Sequence, residues 1–148
     1  MKTTWVLVAD EAIARILELP QEGGDLVPVE ELADADAHAS EAEMRRAPHG
    51  RRSAGGALVN SATVSASDSE RHQHAQVFAG RVAQHLAERR REGRYDLLHM
   101  LAAPRFLGYL RKALDPAVAS CVASEQDKDV VQESPAQLMQ RLPAGVRP

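Results

Sequence analysis

Ser67-Asp68-Ser69-Glu70-Arg71-His72-Gln73-His74-Ala75-Gln76-Val77-Phe78-Ala79-Gly80-Arg81-Val82-Ala83-Gln84-His85-Leu86 is the stretch in which the hydrophobic pattern changes period. Ala75, Phe78, Ala79, Val82 and Leu86 recur at spacings of three and four, which places them on one face of a helix. Ser67 and Glu70 stand three apart in front of that stripe. There a serine oxygen and a glutamate carboxylate can satisfy the orphan N–H groups of a first turn reciprocally. Behind it, Arg89, Arg90 and Arg91 suit the negative end of the helix dipole, and Gly93 permits the chain to turn away. A helix starting at Ser67 is the expectation.

Upstream, the pattern is that of strands. Trp5-Val6-Leu7-Val8-Ala9 is short, continuous and apolar, as a strand buried on both faces requires. Asp10 follows as a turn former, able to bond the backbone two residues on. Ala14 to Leu19 sets Arg15 and Glu18 against Ile16, Leu17 and Leu19, a second strand ended by Pro20 and Gly23-Gly24. Leu26 to Leu32 alternates as a third, and Pro28 assigns it to a sheet edge. Tight turns between the three imply an antiparallel meander.

Downstream, helix and strand alternate. Tyr95 to Ala102 reads as a strand. Pro104 suits the first position of a helix whose inner face is Phe106, Leu107, Leu110 and Leu114, and Asp115-Pro116 ends it. Val118 to Ala123 reads as a fifth strand, and Ser134-Pro135-Ala136-Gln137 caps a last helix. The order β-β-β-α-β-α-β-α implies an α/β fold. Its expected form is a five-stranded mixed sheet, order 3-2-1-4-5, ribonuclease-H-like and covered by three helices. The 148 residues fit one domain, 1–148.

Between the meander and the helix, residues 33–66 are rich in Ala, Ser, Asp, Glu, Arg and Gly and offer almost nothing to bury. A connection of that length inside a compact domain is either functional or unstructured, so 33–66 is expected to be a long mobile loop. It carries Arg45, Arg46, Arg51 and Arg52, followed by Gly55-Gly56.

Composition narrows the function classes. Net charge is −3, so no global field draws in nucleic acid or an anionic membrane, and any such partner must be met by a local patch. Cys121 is the single cysteine, which rules out an internal disulfide and reads as a buried thiol. The apolar run after the N-terminus is too short for a signal sequence or a membrane span, so a cytoplasmic protein without membrane contact is expected. A two-metal nuclease would need several carboxylates at the strand ends, but only Asp10 is placed there. His72 and His74, two apart, fall on different helix faces. No nucleophile elbow or phosphate loop is present. Neither a metal nor a cofactor is expected.

Two segments carry a family resemblance. Ala103-Pro104-Arg105-Phe106-Leu107-Gly108-Tyr109-Leu110-Arg111, within Tyr95 to Arg111, resembles the signature of the bacterial host attachment protein family. Glu125-Gln126-Asp127-Lys128-Asp129-Val130 is similar to that family's Glu-x-x-Lys-Asp-Leu segment, with valine in the last place, and Trp5 to Leu19 resembles its opening hairpin. The family's name implies a role in attachment to host cells. The family is also similar in fold to the middle domain of archaeal and eukaryotic peptide-chain release factors, whose long loop bears a catalytic Gly-Gly-Gln. Here Gly55-Gly56 is followed by Ala57, so the resemblance implies the scaffold without the hydrolysis.

What remains is basic. Arg45, Arg46, Arg51 and Arg52 on the loop join Arg105 at a helix start, where backbone N–H groups also favour anions. Arg111 lies one and a half turns on. These residues, with Gly55 and Gly56, are the candidate binding set, and RNA or the ribosome is the candidate partner. The expected function is a non-enzymatic intracellular binding module. The alternatives are an adhesion-related protein, or an uncharacterised hydrolase for which no constellation is visible.

Overall fold

The computed structural model describes residues 2–34 and 56–146, with side chains in the long helix described from Ser69 onward. Strands β1 (Thr4–Ala9), β2 (Ile13–Glu18) and β3 (Val27–Ala33) come first. Helix α1 (Gly56–Arg91) leads to β4 (Leu97–Ala102), then α2 (Pro104–Ala113), a single turn α3 (Pro116–Ala119), β5 (Val122–Gln126) and α4 (Pro135–Arg141). The sheet is mixed, in the order β3-β2-β1-β4-β5. The hairpins run antiparallel, and both partners of β4 are parallel to it. The α/β fold and strand order are those expected from the pattern.

β1 is central and buried along its whole length, and its alternation separates two cores. Trp5, Leu7 and Ala9 face α1, α2 and α3, packing with Phe78, Val82, Leu86, Phe106 and Leu110. Val6 and Val8 face the opposite way, with Leu17 and Leu101. That second face is covered by the segment after β5 through Val130, Val131, Leu138, Met139 and Leu142. Arg15 reaches from β2 to hold this cover, its Nη1 donating to the carbonyls of Val131 and Glu133 at 2.8 and 2.7 Å.

Three expectations are corrected. The helix begins at Gly56, eleven residues before Ser67. Periodicity detects a face to be buried and does not by itself mark the residue at which a helix starts. The expected loop 33–66 is corrected at both ends, and its middle, 35–55, lies outside the described residues. Ala33 closes β3, Asp34 is buried with its N–H on the Ala12 carbonyl, and 56–66 is helical. The run Val118 to Ala123 divides between two elements. Asp115 caps the short turn α3 through the Ala117 N–H, and the strand starts only at Val122. Val118 and Cys121, three apart, are buried in the same core, which is helical rather than strand spacing. With α3, the described residues hold four helices rather than three.

Candidate functional site: the start of α2 and its groove with α1

β1 and β4 are parallel neighbours, and the chain leaves them in opposite directions across the sheet, β1 towards β2 and β4 towards β5. In open sheets, such a switch point opens a crevice beyond the carboxyl ends of the strands, where ligands bind. Asp10 follows β1 there. Its Oδ1 accepts the N–H groups of Ala12 and Ile13 at 2.9 Å each, so its carboxylate is committed to the turn. β4 ends in Ala102-Ala103, tied back by the Ala103 N–H on the Ala9 carbonyl, and α2 starts at once with Pro104. Ala103 has no side chain that could cap the first turn.

Arg105 stands in that turn. Its Nη1 meets Nε2 of His72, from α1, at 3.1 Å, and His72 Nδ1 meets the Tyr109 hydroxyl at 2.7 Å. Donor chemistry fixes the directions. Arginine only donates, so in this contact His72 Nε2 accepts, and Nδ1 is left as the donor to the phenol oxygen. The Tyr109 O–H is then left to donate elsewhere. Tyr109, Gln76, Lys112 and Ala113 line a groove of about 230 Å³ between the two helices.

Some other basic side chains are occupied differently. Arg89, Arg111 and Arg141 pair with Glu30, Glu125 and Glu133. Arg90 Nε donates to Cys121 Sγ at 3.0 Å, and that thiol is buried. Neither Arg105 nor Lys112 has a carboxylate partner among the described residues.

The candidate set thus divides. Arg105 lies at the switch point, and Gly56 opens α1. Arg111 leaves the other side of α2 to meet Glu125 on β5 at 2.5 Å. Arg45, Arg46, Arg51, Arg52 and Gly55 lie outside the described residues. His72, Tyr109 and Lys112 were missed as site residues. The apolar stripe already placed His72 three before Ala75 and seven before Ala79, on the face that meets α2.

His99 is a core residue, 3% exposed, with Nδ1 at 2.5 Å from Ser124 Oγ, and burial pushes its pKa down. Among the described residues no group of three or more His, Cys, Asp or Glu side chains could hold a metal ion. No helix among them is long and apolar enough to cross a membrane.

A sequence model of the family described as "Protein required for attachment to host cells" matches residues 5–142, nearly the whole chain. The chain belongs to the host attachment family. No curated protein matches it. The Arg111–Glu125 ion pair joins Ala103–Arg111 to Glu125–Val130 in space.

Proposed function

We propose that this host attachment protein is a non-enzymatic, cytoplasmic binding module that contacts RNA phosphates, on the ribosome or elsewhere, at the carboxyl ends of its parallel strands. One observation carries the reading: Arg105, in an uncapped first turn, has only the His72 imidazole as partner among the described residues. A guanidinium so placed has donors to spare for a phosphate, and the helix dipole adds to the attraction. Arg45, Arg46, Arg51 and Arg52 supply further cations in this reading, and the sequence pair Gly55-Gly56, whose second residue opens α1, is similar to the glycine pair of the release-factor loop. With Ala57 in place of glutamine, the reading includes binding and no peptidyl hydrolysis.

Filter binding of a short single-stranded RNA across salt concentrations tests it. The expected outcome is a log affinity that falls linearly with log salt, with a slope made shallower by about 0.7 in Arg105→Gln for the one phosphate lost. Affinity that ignores salt, or an unchanged slope, rejects the reading. Co-sedimentation with ribosomes, comparing the intact chain with a deletion of the arginine-bearing residues 35–55, assigns the ribosome as partner or removes it.

The family description favours a second reading, in which the protein serves attachment to host cells directly. Cell fractionation separates the two: recovery on the outer surface supports direct attachment, and recovery with the cytosol supports the first.

A further inference from the structure

We infer that His72 is a second phosphate contact beside Arg105, switched on when its Nε2 takes up a proton. The inference rests on the phosphate reading of Arg105 and adds a regulation to that same site.

The geometry of three side chains carries it. Arg105 Nη1 lies 3.1 Å from His72 Nε2, and His72 Nδ1 lies 2.7 Å from the Tyr109 hydroxyl. Arginine has no acceptor, so the first contact spends the lone pair of Nε2. A proton on Nε2 turns that nitrogen into a donor and sets two cations a hydrogen-bond length apart. An anion answers both at once, because a phosphate accepts from Nη1 and from Nε2–H in charge-assisted bonds. The Tyr109 oxygen goes on accepting from Nδ1–H, so the ring keeps its place while its other edge changes role.

The surroundings leave the balancing negative charge to a ligand. From α2, His72 meets Arg105 and Tyr109, and Lys112 stands three residues beyond Tyr109. On α1 its charged or titratable neighbours are Glu70, Arg71 and His74, one or two residues away and so on other faces. Among the described residues no carboxylate pairs with His72. Proton and phosphate therefore bind together, and by linkage each raises the affinity for the other. Phosphate binding tightens as pH falls through the range in which histidine gains charge.

Filter binding of a uridine-only RNA, which does not itself titrate in this range, is compared at about pH 7.5 and about pH 5.5. Folding at both values is checked by circular dichroism. The expected result is roughly fivefold tighter binding at the lower pH, the gain from one more surface ion pair. The salt slope should steepen by up to about 0.7 for the added charge. In His72→Gln, whose amide oxygen offers Arg105 an acceptor that takes up no proton, the ratio between the two pH values should fall towards one. A second arm needs no RNA: the His72 imidazole is titrated by NMR in sulfate and in chloride at matched ionic strength, with sulfate standing in for phosphate. His72 should protonate at a higher pH in sulfate, by more than His74 does, and that difference should vanish in Arg105→Gln. Salt-dependent RNA binding with no pH response, or a response that persists in His72→Gln, overturns the inference and leaves the phosphate reading standing. A sulfate effect on His72 without RNA binding keeps the two-residue contact and removes RNA as its partner. Absence of both effects overturns both.

Discussion

At the scale of single residues, buried polar groups set the sharpest expectations. His99 is held neutral between β4 and β5, and burial lowers its pKa. The unfolded chain therefore takes up a proton near the ordinary imidazole value of about 6.5 before the folded chain does. Stability is complete above that value and is lost as pH falls towards the lower, folded one. Thermal melts between pH 7.5 and 5.5 should show this decline, and His99→Gln should flatten it. Arg15 is the other decisive residue. Its two charge-assisted bonds hold carbonyls 116 and 118 residues away. Arg15→Ala should cost about 2 kcal/mol in urea unfolding, because two carbonyls lose a charged donor. An unchanged midpoint would mean that water replaces the guanidinium at no loss.

At the scale of elements, the edge strand β3 is fastened to α1 by one carboxylate. Glu30 accepts from Arg89 Nε at 2.9 Å and pairs with His85. Burial alone would raise the pKa of Glu30, yet the Arg89 hydrogen bond and the His85 charge together outweigh it and the pKa is lowered. A depressed carboxylate stabilises the fold above its unfolded value of 4.5 and loses that contribution as pH falls through the folded one. Glu30→Gln should therefore be less stable at neutral pH and should show a shallower acid limb below pH 4.5. At α4, Ser134 accepts from the Gln137 N–H while Gln137 returns the bond to the Ser134 N–H. Ser134→Ala should cost about 1 kcal/mol, and Ser134→Asp much less.

The legibility of the chain followed what each element buries. Strand order could be read because hairpin turns and helical crossovers constrain pairing, and Pro28 marked the edge correctly. The start of α1 could not, since a stripe such as Ala75 to Leu86 reports only the part of a helix that meets a neighbour. Of the site, Arg105 was visible as a cation after Pro104. His72 and Tyr109 acquire their roles only from the packing of α1 against α2, which no local pattern announces.

At the scale of the whole molecule, the sheet is assembled from the two ends of the chain. β1 is paired on one side by its immediate successor and on the other by β4, and Thr3 and Asp96, which meet beside that pair, are 93 residues apart. The cover of the second core comes later still, from residues 130–142. Non-local pairing of this kind is intrinsically slow to form. During synthesis the first hairpin thus emerges with a largely apolar strand whose free edge and rear face must wait for most of the polypeptide to follow. The ribosome and any chaperone at its exit would meet that naked ribbon before its partners, and a chain stalled before β4 should be recovered as aggregate or bound to chaperone, whereas synthesis past Leu142 closes the sheet.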